Sequence, residues 1–525
     1  MDMQEKSIHS SLSMPKASQY CTCLMLVLCA AMAITGCSKS DDVTTADNET
    51  VSGGTTTIDS TAVTTGAAEG SVATGYNVDD LIENSTFSST VAISYGTATT
   101  ITNPLSASGV TIVQNGADVI ITSTATGVEY SLSGTTTNGS LKIYSDKKFK
   151  LTLNGVAITN NDGPAINIQS SKRAFVVVAD NTTNTLADGA TYATSTEDQK
   201  GTLFSEGQLV FSGTGSLSVK GNYSHAICSD DYVRIRTGNI TVTGAIKDGI
   251  HTNDAFIADG GTIKITAASD GIECEEGYIV VNDGTFTLNT GDDGIAASYT
   301  DGDATITPYV TINGGSITVN STAGEGIESK SVLTINKGTI ATVTADDGIN
   351  AGTAIYINGG SVYCYSTGND AMDSNGTFTI TGGKVVAIGS KSPEAGIDCD
   401  ARTLKITGGI VLGIGGATSA PSTTASTVNA VIMGSGQANQ IVHIEAGDGT
   451  EALTFLAPVS YSTLLFASGK LKSSTKYLIY TGGSVSSGID FHGLYSGGTY
   501  SKGTSSSNFT TSTVLTQVGG TISRN

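Results

Sequence analysis

DDGIN, residues Asp346–Asn350, decides the reading of this chain, because the sequence keeps returning to it. KDGIH at Lys247–His251, SDGIE at Ser269–Glu273, DDGIA at Asp292–Ala296 and GEGIE at Gly324–Glu328 are variants of it. NDAMD at Asn369–Asp373 and AGIDC at Ala395–Cys399 continue the series. The apolar residues at its centre are Ile250, Ile272, Ile295, Ile327, Ile349, Met372 and Ile397, spaced by 22, 23, 32, 22, 23 and 25, and Ile227 stands 23 residues before the first. A period this regular marks a repeat architecture.

A second signature runs out of phase with the first: DGGTIKIT at Asp259–Thr266, NGGSITVN at Asn313–Asn320, NGGSVYCY at Asn358–Tyr365 and their relatives up to TGGIVLGI at Thr407–Ile414. Each is a β-branched or alternating run launched from a glycine turn, which is strand chemistry. No amphipathic helical stripe occurs here, so helical solenoids are excluded. A propeller blade needs roughly 40 residues, and a leucine-rich repeat needs a Leu skeleton that is absent. Units of about 22–23 residues predict an all-β chain wound as a parallel β-helix, and the preference of crossovers favours the right-handed form. Stacking then sets Ile over Ile at about 4.8 Å. The 32-residue interval predicts a loop near Tyr299–Pro308, and the 25-residue interval a smaller one at Ser390–Glu394. A longer insertion, Asp180–Lys200, falls between Ile166 and Phe204 and is a candidate binding loop.

The flanks divide the rest. In residues 1–37, Lys6 and Lys16 precede an apolar run from Cys23 to Ile34, and Ile34-Thr35-Gly36-Cys37 matches a bacterial lipoprotein cleavage site. Cys37 is the expected lipidation point, anchoring the chain in a membrane. SKSDD after it resembles the export signals of Gram-negative surface lipoproteins, which implies an outer-membrane protein facing outward. Residues 38–77, rich in Thr, Ser, Ala and Gly, are expected to be a flexible tether. The β-helix is expected over 78–429, with a short helical turn at Asp79–Glu83. Residues 430–525 are expected to form further coils or a β-rich C-terminal cap. Cys228, Cys274, Cys364 and Cys399 are too far apart in sequence to suggest a disulfide framework.

The chain carries 26 basic and 47 acidic side chains, net −21, which argues against a nucleic-acid partner. Trp is absent, so an aromatic platform for sugars would use some of the 19 tyrosines. With the apolar residue inward, the next residue points out, giving a column His251, Glu273, Ala296, Glu328, Asn350, Asp373, Asp398. Two residues before the apolar one lies a turn column, Asp248, Asp270, Asp293, Glu325, Asp347, Asp370, flanked by Asp292 and Asp346. Asp before Gly is also ordinary turn chemistry. Yet charges about 4.8 Å apart repel by roughly 1 kcal/mol even in water, so cations are expected in some of the gaps. Carboxylate and amide oxygens suit Ca2+. The metal candidates are Asp292, Asp293, Glu325, Glu328, Asp346, Asp347, Asp370, Asp373 and Asp398. Calcium can bridge protein carboxylates to uronates, so an acidic polysaccharide is a fitting partner. His225, His251, His443 and His492 show no ligand-like spacing.

The DDGI and NGG alternation, followed by SYSTLLFASGKLKSSTKYLIYTGGSVSSG at Ser460–Gly488, resembles the bacterial carbohydrate-binding domain family of secreted calcium-binding β-helix proteins, similar in fold to family 9 pectate lyases. The resemblance implies a right-handed β-helix with bound calcium, binding plant cell-wall polymers such as polygalacturonate without established lyase action. Asp292–Asp293, Asp346–Asp347 and Asp370–Asp373 match its Asp-rich turns. Two other readings stay open. One is a polysaccharide lyase, for which Lys247 and Lys330 are the bases to test, although each is read first as a surface ion pair. The other is an adhesin or structural rod without a glycan ligand.

Overall fold

The structure, a computed structural model, describes residues 53–61, 64–300 and 302–523. The leader, Cys37 and the first part of the tether lie outside the described residues. From 118 to 414 the chain winds as a parallel β-solenoid of about 13 turns, and among the described residues there is no α-helix. Most coils give one short strand to each of three parallel sheets. Sheet 1 holds the DGI strands, Ile250–Thr252 through Met372–Ser374. Sheet 2 includes Tyr232–Ile235 through Leu404–Ile406, and sheet 3 includes Asn239–Ala245 through Ile410–Gly415.

The repeat period sets the register. Ile227 pairs with Ile250, and the column continues through Ile272, Ile295, Ile327 and Ile349 to Met372, each fully buried. Toward the N-terminus the column runs back through Leu203, rather than Phe204, to Ile166, Leu141 and Val119. The 32-residue interval is absorbed between Ile295–Ala297 and Val310–Ile312 without loss of phase. The long insertion is shorter than its composition suggests. Thr183–Ala187 is a sheet 3 strand paired with Ser216–Gly221, and the excursion proper spans 188–200.

Two glycine positions recur in most repeats for geometric reasons, although Ala371 takes the second of them in the coil of Met372. The second Gly of the NGG turn has positive φ, 83° at Gly315 and 82° at Gly360, which side chains rarely adopt. The Gly of DGI has no room for a side chain: a Cβ on Gly348 would lie 2.5 Å from Ala371 O and 2.6 Å from Cys364 Cβ. Gly348→Ala is therefore expected to destabilise the chain by about 1–3 kcal/mol, through the same strain as overpacking a core. Urea unfolding of the variant against the parent checks this.

The tether expectation is corrected for residues 53–61 and 64–77. Thr55–Thr57 pairs with Thr499–Ser501, and the segment then lies along the solenoid as a strap. The first residue of the NGG turn holds it. Asn282, Asn313, Asn336 and Asn358 donate from Nδ2 to the strap carbonyls of Thr74, Ala73, Ser71 and Glu69 at 2.7–2.9 Å. Each of the last three also donates to the Oδ1 of the Asn one coil back at 2.8–2.9 Å. The strap buries little apolar surface of its own; the turn ladder supplies its hydrogen bonds.

The expected helical turn is present as 3-10 turns at Val78–Asp80 and Ile82–Asn84. It does not cap the coil end. Asp80, wholly buried, receives hydrogen bonds from Arg173 Nε at 2.7 Å, Tyr232 at 2.5 Å and Arg234 at 3.3 Å, which pins the turn to the flank of sheet 2.

At the other end the winding stops at Ile410–Gly415, which pairs antiparallel with Thr463–Ser468. A six-stranded sheet including Gln440–Ala446, Glu451–Ala457 and Lys476–Thr481 follows. Val386, Ile388, Leu412 and Ile414 pack with its Phe455 and Tyr477 and with Phe466 of Thr463–Ser468, while Val385 and Ala387 face the solenoid interior. Residues 430–523 thus include a β cap laid on the outer face of sheet 3 as well as on the coil end. Cys228, Cys274, Cys364 and Cys399 are buried free thiols.

Candidate functional site on the outer face of sheet 1

The turn before each sheet 1 strand places its acid at the sheet edge, and one carboxylate oxygen is spent on the fold. Asp270 N donates to Asp248 Oδ1 at 3.2 Å, Asp293 N to Asp270 Oδ1 at 2.8 Å and Glu325 N to Asp293 Oδ1 at 2.7 Å. Asp370 N donates to Asp347 Oδ1 at 3.0 Å, and Ala395 N to Asp370 Oδ1. Turn chemistry and a cation ridge are therefore compatible, because each of these backbone bonds uses only one of the two carboxylate oxygens.

The outward column follows in register, His251 beside Glu273, Ala296, Glu328, Asn350, Asp373 and Asp398. Among the described residues, Asp370, Asp373 and Asp398 bring ligand atoms within 4.8 Å of one another, and Asp292 and Asp293 do so together with Asp270. Glu325, Glu328, Asp346 and Asp347 lie outside these groups. Glu328 is tied to Lys330. Asp346 accepts from Asn369, and Asp347 Oδ2 accepts from Asn350 at 2.9 Å.

The acids are strained electrostatically. Burial first, and then neighbouring carboxylates, pushes Asp270 and Asp347 up to about 8 and Asp370 and Asp373 up to about 7. Asp293 is raised by burial and by Glu325. Without a cation, these carboxyls hold protons that an exposed Asp would have released.

The three-carboxylate group fits a hard cation. Asp398 Oδ1 is fixed by Ser419 and Ser523 at 2.6 and 2.8 Å, and Asp373 Oδ2 by Asn350 at 3.2 Å. Such outer hydrogen bonds orient ligands, and the donor set is all oxygen, as Ca2+ prefers.

Farther toward the N-terminus, sheet 1 borders a cleft of about 1210 Å³. The 188–200 excursion forms one wall. Glu197 pairs with Lys142 at 2.7 Å, Lys200 with Asp230 at 2.7 Å, and Tyr192 stacks on Tyr223 at 4.0 Å. Lys247, Asp248, His251 and Glu273 line the other side.

Here the histidine expectation is corrected. His225 and His251 stack at 4.3 Å and share Asp248 Oδ2, at 2.9 and 3.0 Å from their Nδ1 atoms. His251 is raised to about 10: burial disfavours its charge, but Asp248 and Glu273 outweigh that. Burial lowers His225. The signal was available in phase. His225 stands two residues before Ile227, so it begins the turn column that Asp248 continues.

Of the two lysines, Lys330 is engaged by Glu328; burial opposes its charge, yet that carboxylate keeps it raised, the wrong direction for a base. Lys247 lines the cleft.

A family described as carbohydrate-binding domain-containing protein matches residues 115–396, more than half of the chain, and the chain belongs to it. No curated protein matches the chain. Among solved structures, the chain is similar to the polysaccharide lyase-like protein from C. thermocellum, solved as a gadolinium derivative. The identity is 21% and the TM-score 0.37, and the match covers 55% of this chain and 96% of that one.

Proposed function

We propose that the chain binds acidic, uronate-containing polysaccharide such as polygalacturonate, through Ca2+ held on the turn ridge of sheet 1, and does no chemistry on the sugar. The observation that carries this is the convergence of Asp370, Asp373 and Asp398, three carboxylates held within 4.8 Å by outer hydrogen bonds. Bound there, Ca2+ would offset two of the three negative charges and offer remaining coordination positions to a sugar carboxylate. The stacked columns run along the solenoid, which suits an extended polymer. Tyr223, 45% exposed and stacked on Tyr192, supplies an aromatic face where Trp is absent. The leader completes the proposal: acylated Cys37 anchors the chain in the outer membrane, with the solenoid outside.

The Asp370→Asn/Asp398→Asn double variant is expected to lose at least tenfold in calcium-dependent affinity for polygalacturonate while keeping its β circular dichroism. Unchanged affinity in a folded variant would remove this group from the site. Unsaturated uronate appearing during the assay would replace the binding reading with the lyase one.

A further inference from the structure

The buried pair of histidines is not explained by calcium. His225, Asp248 and His251 are 6%, 3% and 7% exposed, and their ligand atoms lie within 4.8 Å of one another. Two imidazole nitrogens beside one carboxylate oxygen form a donor set that Ca2+ disfavours and zinc-class ions prefer. The dimensions suit such an ion. A tetrahedron with bonds of 2.0–2.1 Å has edges of about 3.3 Å, and the two imidazole-to-Asp248 separations are 2.9 and 3.0 Å.

The surroundings are built for the same purpose. Glu273 Oε2 lies 3.1 Å from His251 Nδ1, and Ser298 Oγ holds its other oxygen at 2.8 Å. Asp248 Oδ1 is occupied by Asp270 N at 3.2 Å, which leaves Oδ2 to the cluster. His251 Nε2 lies 3.3 Å from Glu275 Oε2, the carboxylate–histidine arrangement that orients metal-bound imidazoles.

We infer that His225, Asp248, His251 and Glu273 form a site for one zinc-class divalent cation at the floor of the cleft, with Glu275 orienting His251. The ion joins three successive coils, since Ile227, Ile250 and Ile272 stand in one register column. The site lies at the N-terminal end of the same columns, far in sequence from the Asp370, Asp373 and Asp398 group, and its Asp248 and Glu273 also converge with Asp270.

The test uses the full chain without a histidine tag, stripped of metal and titrated with Co2+ and Zn2+ in excess Ca2+. One equivalent of Co2+ should give a visible d–d band that Zn2+ abolishes. His225→Gln/His251→Gln should lose that equivalent, and Glu275→Gln should weaken binding by about tenfold or more. Asp398→Asn should leave the band intact, which separates this site from the ridge. Cu2+ electron paramagnetic resonance on the parent chain should show two nitrogen couplings, whether or not the double variant folds. No band, a band that Ca2+ removes, an equivalent that survives in a folded double variant, or a copper signal without two nitrogens would each overturn the inference.

Discussion

In EGTA, the stability of the chain is expected to fall by several kcal/mol as the pH rises from about 4 to 8. Asp347, 4% exposed, has its folded pKa near 8, against the ordinary 3.8. Over that window the folded state binds a proton that the unfolded chain has released, so stability is highest at low pH and is lost as pH climbs. At about 1.4 kcal/mol per unit, Asp347 alone contributes on the order of 5 kcal/mol. Asp270, Asp370 and Asp373 act in the same direction. His251, raised to about 10, adds stability that is full below its unfolded value and fades toward that pH, so it does not cancel the trend. A divalent cation can take over the neutralising role of the protons. Saturating Ca2+ is therefore expected to flatten the share of the slope that Asp270, Asp370 and Asp373 contribute, and urea unfolding across this pH range in EGTA and in Ca2+ reads it directly. Equal slopes in both would mean that calcium does not reach the ridge.

Asp80→Ala is the substitution expected to cost most by itself, about 3–5 kcal/mol, because it removes the carboxylate at the centre of a buried charge network. Arg173 would lose its carboxylate partner at 2.7 Å and Arg234 one of its two. Glu83→Ala is the control. Glu83 pairs with Arg236 at 2.7 Å, but its side chain is 56% exposed, and its loss is expected to leave the denaturant midpoint close to that of the parent. Denaturant midpoints of the two variants should differ clearly; similar values would show that the Asp80 anchor is not a buried charge network.

What could be read from the residues alone was whatever repeats. The inward Ile column, the acids beside it and the loop after Ala297 all follow from phase, because one coil's spacing constrains the next. The strap escaped because its Thr, Ser and Gly residues carry no apolar period, and the groups that bind it, Asn282 through Asn358, read simply as turn residues. The histidine cluster leaves no ligand-like spacing along the chain, because His225 and His251 meet across a coil step. The cap geometry depends on antiparallel pairings such as Ile410–Gly415 with Thr463–Ser468, whose separation in sequence leaves no local trace.

The central claim is calcium-dependent recognition of uronate polymers, and the direct measurement is retention of the chain by polygalacturonate in Ca2+ and in EGTA, beside neutral plant polymers and glycosaminoglycans. Retention by polygalacturonate that requires Ca2+ and leaves no unsaturated uronate is the predicted result. Equal retention in EGTA, or none by any acidic polymer in Ca2+, would contradict it.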